Sequence, residues 1–207
     1  MSNLFDKETG TTTSFDSSKV TDSSKSWTVN QFKNWYIEIN GTEYQIDSNT
    51  ETELLFTNAI AANYSYTIAF VGRSKLTELE SDCSNTTKIP SDLISKKYNQ
   101  SNQDIHSKVF ANLRSFLTSE FDPLNNIKNL YCLQQVFSYY LLSKIFQDLS
   151  ISEDSFESFK GYNMYEKSYN DGIRDALSML QIDFDESGTI EYDEKNRAPA
   201  SVSFFSR

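Results

Sequence analysis

The apolar side chains of this chain change their period part-way along it. In "WYIEI" (35–39), "EYQID" (43–47), "ELLFT" (53–57) and "YSYTIAF" (64–70) they alternate with polar ones, whereas from Ile105 to Leu180 they return every third or fourth residue. A period of two belongs to half-buried strands and a period near 3.6 to amphipathic helices, so one polypeptide must supply both a sheet and a helical core. The expected fold class is α+β: a helical bundle of three main helices, at about 103–119, 122–149 and 152–181, with a small N-terminal antiparallel β module.

Asn40-Gly41 falls between the first two strands, where a two-residue hairpin turn needs positive φ at both central positions. A second turn is expected at Ser48-Asn49-Thr50. Four strands in so short a stretch make a compact sheet or partial barrel that is marginal alone. The Ser/Thr/Asp-rich residues 1–25 have little to bury and read as a polar N-terminal arm. Residues 26–72 are the β module and 73–102 a polar connector, with a short helix at "SKLTELES" and a break at Pro90. Residues 103–182 form the helical core, and 183–207 an acidic loop and C-terminal arm.

Ile105, Val109, Leu113 and Phe116 define the first main helix, with the lone His106 beside its apolar stripe as a structural or solvated residue. Asp122 as N-cap and Pro123 at the first helical position open the second, carried by Leu124, Ile127, Leu130, Gln134, Phe137, Leu141 and Ile145. Its aromatics Phe137, Tyr139, Tyr140 and Phe146 occupy more than one face, as in a central helix or one that also meets a neighbouring subunit. Ser152 is positioned to cap the third. Phe156, Phe159, Tyr162, Tyr165, Tyr169, Ile173, Ala176 and Leu180 keep one face of that helix apolar, and a bend or close helix contact is expected at Gly161 or Gly172.

The 19 basic and 29 acidic residues give a net charge of −10, which argues against grip on a phosphate backbone and permits a wall past which DNA slides. Cys83 and Cys132 stand far apart with no Cys/His cluster, so neither a zinc site nor a disulfide framework is indicated. No apolar run is long enough to cross a bilayer, and "MSNLFDKETG" lacks the pattern of a secretory signal. We expect a soluble chain that is not an enzyme: one histidine, no GxSxG, no HExxH and no glycine-rich phosphate loop.

One segment matches a metal motif. In "DFDESGTIEYDE" (183–194), Asp183, Asp185 and Ser187 fall at calcium-loop positions one, three and five, and Gly188 at the turn. Thr189 would offer its carbonyl at seven, Ile190 is the apolar eighth, Glu191 could hold a water at nine, and Glu194 is the bidentate twelfth. Arg197, Ala198 and Pro199 deny the outgoing helix. The competing reading is a solvated acidic turn ending a helix. No cofactor is required in either, and calcium is the one candidate.

The order of features in the helical half resembles head–tail connector (adaptor) proteins of tailed bacteriophages. The resemblance rests on "FDPLNNIKNLYCLQQVFSYYLLSKIFQDLS" followed by "DSFESFKGYNMYEKSYNDGIRDALSMLQIDFDESGTIEYDE", with a YxxxY step at Tyr165 and Tyr169 and an acid-rich ending after "LQID", over roughly residues 101–195. The stretch "VTDSSKSWTVNQFKNWYIEINGTEYQIDSNTETELLF" is similar to a β segment of phage structural proteins, whereas the smallest adaptors are nearly all helical. The resemblance implies a homo-oligomeric ring, commonly a dodecamer, assembled in the host cytoplasm and placed in the virion neck. Its neighbours would be the portal protein and tail or neck proteins, with DNA passing through and no membrane contact. It also implies a C-terminal arm docking on portal, for which Phe204 and Phe205 are the candidate anchors. The alternative is a calcium-dependent carbohydrate- or receptor-binding module of a phage particle.

Overall fold

The computed structural model describes residues 5, 7–16, 18–57, 65–72, 75–78, 89, 91–113, 127–153 and 156–183. The fold is mixed α+β, with two antiparallel sheets in the N-terminal half and helices after them. The chain divides into a β unit, essentially Leu4–Asn85, and a helical unit, Thr86–Arg207.

The β unit contains β1 (Glu8–Thr11), β2 (Ser14–Asp16), β3 (Lys19–Thr21), β4 (Tyr36–Ile39), β5 (Thr42–Gln45), β6 (Ser48–Asn49), β7 (Glu53–Leu55) and β8 (Ser65–Ala69). One sheet runs β1-β8-β4-β5 and the other β2-β3-β7-β6. β1 leads into β2 through Thr12 and Thr13, and β5 into β6 through Ile46 and Asp47, so each sheet's outer strands continue into the outer strands of the other. The pairings thereby form a circuit, which leaves little free edge for another chain to add to. Val20 lies opposite Leu54, Ile37 opposite Ile68 and Ile39 opposite Tyr66, all buried. Rings continue this interior from Trp27 to Phe32, Trp35, Phe70 and Phe5, with neighbouring centroids 4.6–5.7 Å apart.

Asn40 and Gly41 have φ of 49° and 75°, as the hairpin turn requires. The expected turn at 48–50 lies slightly later: Ser48 and Asn49 are paired with β7, and the Thr50 amide bonds the Glu53 carbonyl. Asn49 is buried because its amide group serves three backbone groups, accepting from the Phe32 N–H and donating to the Thr28 and Thr50 carbonyls. The N-terminal segment is not a loose arm: residues 8–21 supply β1, β2 and β3. Their polar side chains, Thr12 excepted, are exposed or half-buried while their backbone groups are engaged by pairing, and Val20 enters the core. Burial raises the carboxyl of Asp22 less than the hydrogen bonds from Ser24 and Tyr66 lower it, so it is held below the usual range. A Cβ on Gly10 would lie 2.4 Å from the Tyr66 oxygen and 2.5 Å from Asp22 Oδ2, so this pair requires glycine there.

The helical unit comprises α1 (Ser91–Leu113), a 3-10 turn (Leu130–Leu133), α2 (Gln134–Glu153) and α3 (Phe156–Ser178). α1 begins well before the expected residue 103, because Tyr98 stands one heptad before Ile105 and continues its buried face. The buried polar residues Ser101 and Asn102 interrupt the apolar pattern there. Phe116, Asp122, Pro123 and Leu124 lie outside the described residues. The second helix does not run continuously from 122, since Ile127 pairs with Ile182 in an antiparallel bridge and the α-helix starts only at Gln134. Ser152 does not cap α3; it lies in the last turn of α2, where its hydroxyl donates to the Leu149 carbonyl.

α2 and α3 form an antiparallel hairpin. A Cβ on Gly161 would meet Phe146 Cδ1 at 2.7 Å, so absence of a side chain lets α3 close on α2. α1 packs on α2 through the Tyr98 and Phe137 rings, 5.3 Å apart, and through a Lys97–Asp148 ion pair of 2.7 Å. α2 is therefore covered on more than one side, as a central helix. The His106 and Phe110 rings lie 4.3 Å apart, tilted by 34°.

Candidate functional site

The two ends of the α2–α3 hairpin carry the features that bear on assembly. At its foot, the segment leaving α3 is clipped to the segment entering the 3-10 turn. The Lys128 amide donates to the Gln181 carbonyl at 3.0 Å, and the Asn129 side chain donates to the Met179 carbonyl at 2.8 Å. The same side chain accepts from the Gln181 amide at 2.7 Å. An asparagine amide that serves both partners competes well with helix formation, which explains the late start of α2.

This clip also fixes Asp183, the first expected calcium ligand. Its carboxylate is fully buried and its Oδ2 lies 3.1 Å from the Lys128 ammonium. A cation could take that oxygen only by separating the pair, and a carboxylate left buried without a partner is costly. Asp185, Ser187, Thr189 and Glu194 lie outside the described residues, as do Phe204 and Phe205. The structure therefore brings Asp183 to Lys128, a partner that the loop pattern alone does not signal. Tyr131 in the 3-10 turn and Met179, the residue after α3, are exposed.

At the other end of the hairpin, Ile151, Phe156 and Phe159 are 78%, 80% and 53% exposed. Sequence reasoning placed Phe156 and Phe159 on the buried face of the third helix. That face is in fact Ser158, Gly161, Tyr165, Tyr169, Ile173, Ala176 and Leu177. Phe156 and Phe159 stand two residues from Ser158 and Gly161, about 200° around the helix. The YxxxY step faces inward: Tyr165 stacks on Phe146 at 5.5 Å and Tyr169 meets Tyr140 at 4.8 Å.

A polar cluster ties the three helices together. The Tyr140 hydroxyl donates to Asp104 Oδ2 at 2.7 Å, and the Lys108 ammonium donates to the Tyr169 oxygen. Lys108 Nζ also lies 4.5 Å from the centroid of that ring and 5.3 Å from that of Tyr140, and burial lowers its pKa from the ordinary lysine value. Burial raises both tyrosines, with the Asp104 carboxylate adding to the effect. Cys132 is half-buried: burial pushes its thiol up to about 12, and its Sγ donates to the Ala176 carbonyl at 3.5 Å. No described helix is long and apolar enough to cross a membrane.

No protein-family model, curated protein or solved structure matches this chain.

Proposed function

We propose that this chain is a structural virion protein, a head-to-tail connector whose copies close into a ring between the portal and the tail or neck proteins and continue the DNA channel. The resemblance over residues 101–195 suggests the class, and one geometric observation supports it. Among the described residues of the helical unit, exposed apolar side chains stand at both ends of the hairpin, Ile151, Phe156 and Phe159 at its tip and Tyr131 and Met179 at its foot. A closed ring needs a heterologous interface, in which one patch of each copy meets a different patch on the next. The two ends of the hairpin provide such a pair. With 23 residues in α3, they stand about 34 Å apart.

In this reading the chain needs no catalytic group and no cofactor. The charge of −10 suits a wall that DNA passes without sticking. The arm 197–207, with Phe204 and Phe205, docks on the portal by burying aromatic anchors that offset its ordering cost. A twelve-subunit ring assembled in the host cytoplasm and retained in the virion neck follows from the same resemblance.

The test is electron microscopy of the chain mixed with portal protein, with and without residues 197–207. Rings stacked on portal only when the arm is present are expected. Absence of stable association in both samples would refute the reading.

A further inference from the structure

Six lysines among the described residues are paired with a carboxylate, as Lys97 is with Asp148 at 2.7 Å and Lys167 with Asp171 at 2.6 Å. Lys108 is held differently. Its amine donates to the hydroxyl of Tyr169 and lies 4.5 Å and 5.3 Å from the centroids of the Tyr169 and Tyr140 rings. The carboxylate one turn before it, Asp104, accepts instead from the Tyr140 hydroxyl at 2.7 Å. A second amine, Lys144 Nζ, stands 5.0 Å from the centroid of the same Tyr140 ring. Two amines thus share one aromatic ring, and neither is in an ion pair with a described carboxylate.

A carboxylate partner keeps an amine protonated, whereas desolvation and a second cation nearby turn a lysine into a nucleophile. Both of the latter act on Lys108. Burial is the largest influence and lowers its pKa, Asp104 opposes it, and Lys144 lowers it further. The groups that face the amine are therefore Asp104 on α1, Tyr140 and Lys144 on α2 and Tyr169 on α3. Burial raises both phenols, so at neutral pH they keep their protons and supply no phenolate to hold a cation. Lys108 as a residue is exposed although its amine is part-buried among the rings, so a reagent in water can reach the nitrogen.

We propose that Lys108 is a modification site, a nucleophilic amine set between Tyr140, Tyr169 and Lys144 that takes an acyl group from a thioester. The nitrogen lone pair attacks the acyl carbon, the carbon–sulfur bond breaks, and the departing thiolate takes up the proton that the nitrogen releases. Amine and thioester become amide and thiol, with nothing oxidised or reduced. The product carries no charge, which removes the repulsion from Lys144, and it replaces the donor that ties α1 to Tyr169 of α3 with a bulkier amide. Acylation therefore acts on the seating of α1 against the hairpin. None of this rests on the connector reading.

The test treats the full chain with a sub-stoichiometric amount of S-acetyl-N-acetylcysteamine carrying an isotope-labelled acetyl group, and reads acetylation lysine by lysine by peptide mass spectrometry. Lys96, exposed on the same helix, is the reference. Near neutral pH Lys108 is expected to react at least about fivefold faster than Lys96, because each unit by which an amine's pKa falls raises its neutral fraction about tenfold while weakening the nucleophile less. Its rate should also level off at a lower pH than that of Lys96. Lys144→Met keeps the aliphatic stem and removes the second cation, so it should slow Lys108 about twofold or more and leave Lys96 unchanged. Urea should abolish the difference between the two lysines. Equal rates in the folded chain overturn the proposal. So does a difference that survives in urea, since that assigns it to neighbours along the chain rather than to the three-helix cluster.

Discussion

Gly161→Ala sets two well-known effects against each other at one position. Alanine in a helix interior is favoured over glycine by about 1 kcal/mol, so at a roomy site the change stabilises. Here the new Cβ would lie 2.7 Å from Phe146 Cδ1 and 3.0 Å from both Cγ and Cε1. An ordinary carbon contact is about 3.5–4.0 Å, so the ring must retreat by about 0.8 Å. Phe146 is 1% exposed and stacked on Tyr165 at 5.5 Å, which leaves it little room to move. Overpacking of this sort costs about 1–3 kcal/mol, and the net expectation is a loss of about 1 kcal/mol. Gly172→Ala is the internal control, because its Cβ meets only Val136 Cγ1 at 3.1 Å on a half-buried face, and it should be neutral or stabilising. The assay is urea unfolding followed by far-ultraviolet circular dichroism, where 1 kcal/mol moves the midpoint by about 0.3–1 M. Both tryptophans, Trp27 and Trp35, lie in the β unit, so their fluorescence reports that unit separately. Phe146→Leu should recover part of the loss in the Gly161→Ala background. If Gly161→Ala stabilises as much as Gly172→Ala, the close-contact reasoning is wrong.

Four further outcomes are expected. Tyr66→Phe should cost about 1–3 kcal/mol by removing a buried hydrogen bond to the Asp22 carboxylate. Because the folded pKa of Asp22 is depressed, its contribution is full above about pH 4 and fades as pH falls through the lower folded value. The variant's deficit should therefore shrink in acid, as read from melting curves by tryptophan fluorescence. Lys128→Gln should lower stability by about 1–3 kcal/mol by leaving Asp183 buried without its ammonium partner. Calorimetry on the unaltered chain should find calcium binding no tighter than about 10⁻³ M, and micromolar affinity would overturn the view that Lys128 holds the first ligand. In a Cys83→Ser chain, Cys132 should not react with a disulfide reagent at pH 8 until the helical unit unfolds, because burial holds its thiol at about 12. Rapid labelling of the folded chain would contradict this.

What the sequence alone determined were features set by neighbours along the chain. Asn40-Gly41 fixes a turn because positive φ is a local demand. The strands from Tyr36 to Ala69 and the helices through Ile105, Phe137 and Tyr165 follow from apolar period, and the α+β class follows with them. Tertiary structure decided what no window of sequence contains. Residues 8–21 look unstructured because their side chains are polar, yet backbone pairing with β8 and β7 makes strands of them. The start of α2 was displaced because Asn129 found partners fifty residues away, at Met179 and Gln181. Asp183 reads as a free ligand in the loop pattern and is held by Lys128 in the fold. Phe156 and Phe159 read as core because they are apolar, and they are exposed because burial depends on which side of a helix a neighbour occupies. A helical period can place residues on one face, but only the packed neighbours determine whether that face is covered.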